Sequence, residues 1–233
     1  MGINAYNQYE LDQQGEFNHF LSKVFIWMFV GLSLTGIAAF SVATNEMLIK
    51  AIILNRGIFY GLLFGELALV MFLSFRVHKL SFGVALGIFL LYSMLNGLTL
   101  SVILLRYTGQ SVAMVFGGAA LIFGAMAIYG FVTKTNLEPF RALLMMGLFG
   151  IIIMSVISMF TRSAAFNPII GFAGVAIFSG LTAYDIQKLK KYHKNRVKGS
   201  QGDSNMAVVG ALMLYLDFIN IFLSLLRIMG NRR

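Results

Sequence analysis

Cysteine does not occur in this chain, so a disulfide framework, a thiolate metal site and a cysteine nucleophile are all excluded. Charge is nearly as scarce. Charged residues make up 12% of the 233 positions and hydrophobic residues 58%, a balance that a soluble domain with a polar surface cannot carry. Lipid must be the solvent for most of the surface. Only two prolines are present, and the long apolar runs lack the every-second-residue alternation of barrel strands, so the fold class is all-α. No GxxxxGK phosphate loop, HExxH helix or GxSxG elbow occurs, which leaves ordinary soluble enzyme chemistry without a foothold. The chain reads as a membrane protein that is not an enzyme and needs no cofactor.

What is present is a series of apolar segments near the length of roughly 20 residues that a bilayer core requires. They are Val24 to Val42, Ile58 to Phe75, Phe82 to Leu105, Ser111 to Val132, Leu143 to Phe160, Ala164 to Tyr184 and Met206 to Met229. Short connections make consecutive helices antiparallel neighbours in a single domain over residues 24–230, followed by a short basic tail, 231–233. Residues 1–23 form a polar leader with Glu10, Asp12 and Glu16, unlike the basic start of a cleavable signal, so the first apolar segment is expected to remain.

The net charge of +9 does not point to nucleic acid, because its densest run, Lys188 to Lys198, directly follows an apolar segment. That is where a cytoplasmic loop is basic, and topology is preferred there over binding of anionic lipid. With about eleven Lys and Arg on the leader's side against about seven opposite, the amino terminus is predicted to be cytoplasmic. Seven crossings then put the basic tail outside, unless the last segment is re-entrant. Gly61 and Gly65 on the second span, and Gly83 and Gly87 on the third, have the spacing of close helix packing. His78 and His193 lie in basic context and are read as solvated loop residues.

Only three of the nine acidic residues fall in or at the edge of an apolar span: Glu66, Asp185 and Asp217. An ionised Asp at a helix centre costs on the order of 3 kcal/mol on insertion scales, so these side chains should face the interior and find partners. Asp217 and Asn220 are three residues apart and share a face of the last helix, giving it a polar stripe. A helix apolar on its other sides belongs in the middle of the others. Asn96 on the third span is a further hydrogen-bonding candidate, while Arg106 and Arg227 near span ends are read as snorkelling to headgroups.

The string ALMLYLDFINIFLSLLRIMG, Ala211 to Gly230, closely resembles the signature last helix of the Bax inhibitor family, also called the transmembrane Bax inhibitor motif or YccA-like family. GLTAYDIQKLKK at Gly180 to Lys191, NGLTLS at Asn96 to Ser101 and YGFVTKTNLEPF at Tyr129 to Phe140 are similar to that family too. The resemblance implies a seven-transmembrane-helix bundle with the last helix central, in a bacterial inner membrane. It implies pH-sensitive calcium leak, with calcium as the transported ion, or a non-transporting regulator that binds a membrane protease. Residue by residue, Asp185 and Asp217 match the family's pH-sensing pair and would be transient calcium ligands. Arg76 is the nearest equivalent of the arginine that latches the pair, with Glu66, Asn96 and Asn220 as further latch or pathway residues. An intramembrane aspartyl protease is the third reading. It is opposed by Leu214-Tyr215-Leu216-Asp217, which stands where such enzymes use a glycine-rich GxGD segment.

If the pair works as a switch, Asp185 and Asp217 share a proton in the closed state and separate when both ionise. Two carboxylates in a poorly solvated place cannot both be charged cheaply. Spans that ended at Tyr184 and began at Met206 would hold them apart, because Asp217 is roughly 16 Å along its helix from Met206. The switch therefore requires the last helix to start earlier or the sixth to reach deeper.

Overall fold

A computed structural model of the chain describes residues 2–161, 166–194 and 202–232, and among these residues there are eight α-helices and no strand. In order they are α1 (Gly2–Ala43), α2 (Glu46–Leu54), α3 (Arg56–Arg76), α4 (Phe82–Leu104), α5 (Gly109–Val132), α6 (Arg141–Thr161), α7 (Phe166–Lys194) and α8 (Gly202–Met229). Seven of them are long and apolar enough to cross a membrane, as expected for an all-α membrane protein. The short helix α2 was not anticipated. It is built by two asparagines: Asn45 accepts from the amides of Met47 and Leu48 at its start, and Asn55 accepts from those of Gly57 and Ile58 to start α3. Both prolines stand at helix starts, Pro139 in the 3-10 turn Glu138–Phe140 that leads into α6 and Pro168 in the first turn of α7.

The helices overrun the apolar segments. The polar leader and the first span form one helix, α7 continues past Tyr184 to Lys194, and α8 begins at Gly202 rather than Met206. Backbone hydrogen bonding does not stop where hydrocarbon stops, and Gln187, Lys188, Leu189, Lys190 and Lys191 are all good helix formers. The division at Arg162 and Ser163, the basic residues Arg196 and Lys198, and Arg233 lie outside the described residues.

The chain divides into two compact units, one of Met1–Ile103 with Lys190–Leu212 and the other of Leu104–Leu189 with Met213–Arg233. In the first unit, α1 and α4 touch through backbone: a Cβ on Gly97 would lie 2.7 Å from the Cβ of Ala38 and against the Thr35 carbonyl. The Thr35 hydroxyl lies 2.9 Å from the Gly31 carbonyl and 2.8 Å from the Ser93 carbonyl, within donating reach of both. At the start of α8, Asn205 donates to the carbonyls of Val77 and Leu80. His193 is not the solvated loop residue expected from its basic context. It is buried in the last turn of α7, against the rings of Phe17 and Phe20 at 5.6 and 5.3 Å, because the helical leader brings those two aromatics over it.

In the second unit, Gly130 of α5 meets the backbone of Ala183 on α7, where a Cβ would lie 2.8 Å from the Ala183 Cα. Gly171 and Gly174 of α7 lie against Ser224 and Ile228 of α8, and Phe116 and Phe123 of α5 set their ring edges against Phe218. The four glycines expected at helix contacts are elsewhere. A Cβ on Gly61, Gly65, Gly83 or Gly87 would meet nothing within 4 Å, since four-residue spacing fixes a shared face but not which way it points.

Buried residues make up 67% of the apolar window of α8, against 6% for α3 and none for α6. The last helix is thus the most enclosed of the seven. It is also unbroken, and the residue after its end is tied to the start of α5: the Thr108 amide donates to the Asn231 carbonyl at 3.0 Å and the Asn231 amide to the Ser111 hydroxyl at 2.9 Å. The last segment therefore has no break at which the chain would turn back.

Candidate functional site

The helix extensions decide where the two aspartates stand. With α7 running to Lys194, Asp185 lies about 14 Å before its end, and with α8 starting at Gly202, Asp217 lies about 23 Å into that helix. Both belong to the second unit, and the charges of Asp185 and Lys188 bear on Asp217. Asp217 is 5% exposed, and its Oδ2 has no hydrogen-bond partner among the described residues. Asp185 is half-buried, and Lys188, one turn further along α7, is exposed.

The surroundings hold this end of α7 firmly. Two residues before Asp185, Ala183 is pressed against Gly130 of α5. Two residues after it, the amide of Gln187 grips the loop between α5 and α6: Oε1 accepts from the Leu137 amide and Nε2 donates to the Thr135 carbonyl, both at 2.8 Å. Tyr184 donates to Glu138 at 3.4 Å, and Glu138 in turn pairs with Arg141 at 3.7 Å. The segments 129–140 and 180–187 are thus held together within the second unit. Gln187 and Lys188 were not singled out from the sequence for the site. The signal for Lys188 was its three-residue spacing from Asp185, masked by the basic run that begins there.

The other candidates divide between the units. Asn220 turns back on its own helix, where Nδ2 donates to the Leu216 carbonyl at 2.8 Å. Arg76 ends α3 with an exposed side chain in the first unit, whereas both aspartates are in the second. Glu66 and Asn96 both lie in the first unit, each hydrogen-bonded to a residue of α4 that sequence reasoning missed, Thr99 and Tyr92 respectively. Thr99 is hydrogen-bonded to the Glu66 carboxylate, and Asn96 Nδ2 donates to the Tyr92 hydroxyl at 3.0 Å. Their signal was spacing, since residues 92, 96 and 99 recur on one face of α4.

The sequence matches the family model Bax1-I, described as inhibitor of apoptosis-promoting Bax1, over residues 17–233. Among its relatives is the inner membrane protein YbhL of Escherichia coli strain K12, 43% identical over 215 residues that cover 92% of each chain. An uncharacterized protein of Borreliella burgdorferi is 44% identical over 217 residues, 93% of each chain. An uncharacterized membrane protein of Streptococcus pyogenes serotype M1 is 38% identical over 216 residues, 92% of this chain and 93% of the relative.

Proposed function

That the chain belongs to the Bax inhibitor family is the premise from which we propose that it is a pH-sensitive calcium-permeable leak pathway of a bacterial inner membrane, switched by Asp185 and Asp217. The name of the Escherichia coli relative supports the location. One observation carries the switch: the carboxylate of Asp217 is buried in the most enclosed helix, in the same unit as Asp185, with an oxygen that has no hydrogen-bond partner among the described residues. In a medium of low dielectric the two negative charges repel strongly, whereas one proton between them removes both the repulsion and the desolvation cost of the second charge. The protonated pair keeps α7 and α8 together. Loss of that proton drives the two carboxylates apart and opens a route lined by oxygen ligands, which suits a hard divalent cation. Flux therefore rises with pH.

Calcium entry into proteoliposomes, followed across acidic to mildly alkaline pH, tests the reading. Wild type is expected to leak more as pH rises, and Asp185→Asn and Asp217→Asn to leak at a rate that pH does not change. Wild-type pH dependence in both variants, or no calcium flux at any pH, overturns it.

A further inference from the structure

Most of α3 faces outwards: of its described side chains, only Glu66 and Leu73 are buried. Glu66 stands at the centre of this helix, about 15 Å from either end, too deep for its carboxylate to reach water along the helix. Its hydrogen-bond partner within the first unit is an uncharged oxygen. Thr99 bonds to its carboxylate, and one turn earlier on the same face of α4 the amide of Asn96 donates to Tyr92. Within this unit no lysine or arginine among the described residues forms an ion pair with Glu66. Asn96 is only 8% exposed, and its Oδ1 has no hydrogen-bond partner among the described residues. A buried amide oxygen that accepts nothing bears the full desolvation cost of an unmade hydrogen bond. A cation would satisfy it.

We propose that Glu66, Thr99, Asn96 and Tyr92 form a binding site for one monovalent alkali cation inside the first unit, made without the aspartate pair. Charge balance selects the valence. One carboxylate and one monovalent ion are neutral together, which a low-dielectric interior tolerates, whereas a divalent ion would leave a full positive charge uncompensated. Calcium sites of useful affinity collect several carboxylates among six to eight oxygens, and Glu66 is the only carboxylate in this group. The neutral oxygens of Thr99, Asn96 and Tyr92 suit a hard alkali ion that has shed part of its water. This site is independent of the calcium reading, and flux through the pathway can fail without touching it.

The test uses the purified full chain in detergent micelles, with thermal unfolding followed as NaCl or KCl replaces N-methylglucamine chloride at constant ionic strength. Sodium or potassium is expected to raise the unfolding midpoint saturably in wild type and equally in the Asp185→Asn, Asp217→Asn double variant. The rise should vanish in Glu66→Gln, and its half-saturating concentration should increase about tenfold in Thr99→Ala and in Asn96→Ala, each of which removes one neutral ligand. If Glu66→Gln does not fold, the two alanine variants decide. Wild type stabilised no better by alkali ions than by N-methylglucamine, an unchanged response in all three variants, or stabilisation by calcium chloride that depends on Glu66 would each overturn the assignment.

Discussion

Two carboxylates sit near the middle of apolar helices in this chain, Glu66 in the first unit and Asp217 in the second, and their neighbours differ in kind. Glu66 is bonded to a hydroxyl, with a phenol and an amide further along the same face of α4, whereas Asp217 has an oxygen unpartnered among the described residues, with a second carboxylate and a lysine bearing on it. Neutral oxygens stabilise a charge state without opposing it. A like charge makes two protonation states compete, and only the second arrangement can drive helices apart. The largest expected effect separates them on that ground. Asp217→Asn should abolish the whole pH-dependent part of calcium flux in proteoliposomes, while Glu66→Gln should leave the shape of the pH profile unchanged. If Glu66→Gln flattens the profile as completely, the two carboxylates belong to one titrating system and the contrast fails.

The next effect concerns how tightly each site's helices are held. Gly130 beside Asp185 and Gly97 beside Asn96 both leave room for a neighbouring backbone, so Gly130→Ala and Gly97→Ala should each destabilise by about 1–3 kcal/mol. Gly61→Ala and Gly65→Ala open onto space and should be neutral or stabilising by up to about 1 kcal/mol, through helix propensity alone. Thermal unfolding in one detergent compares all four. Equal losses at Gly61 and Gly65 would mean that their outward faces are covered by something this chain does not supply.

These glycines show why the sequence could be read for spans more surely than for contacts. Seven apolar runs betray seven helices because lipid tolerates nothing else over that length. Their ends were harder, since Asp185 to Lys194 continues α7 in residues that no hydropathy window would include. Asp217 was legible because a lone carboxylate in such a run demands an explanation. Thr99 and Tyr92 were not, because threonine and tyrosine are ordinary in membrane helices and only their spacing from Asn96 sets them apart. His193 misled because its neighbours in sequence are lysines, while its neighbours in space are Phe17 and Phe20.

A smaller effect probes the support beneath Asp185. Gln187→Leu removes both hydrogen bonds to the loop between α5 and α6 and should cost about 1–2 kcal/mol in thermal unfolding. Gln187→Glu keeps an acceptor for the Leu137 amide and loses the donor to Thr135, so it should fall between wild type and Gln187→Leu. Glu66, whose partners lie in the other unit, gives the control: alkali-ion stabilisation should be the same in both Gln187 variants. A lost ion response in Gln187→Leu would tie the two sites together.

The smallest expected effect is that of Lys188. Its positive charge bears on both Asp185 and Asp217, and like the second carboxylate it has no counterpart in the hydrogen-bonded group around Glu66. A nearby cation favours the doubly ionised pair, so it assists opening. Lys188→Gln should therefore move the midpoint of the flux profile to higher pH, the direction opposite to easier opening. The side chain is exposed, and solvent and salt screen it, so the displacement should be about half a pH unit at low ionic strength. Raising the salt concentration should move the wild-type midpoint the same way and leave Lys188→Gln nearly where it was. Lys188→Arg keeps the charge and should retain the wild-type midpoint. A midpoint that Lys188→Gln leaves in place, or displaces to lower pH, would show that the aspartates are balanced without this lysine.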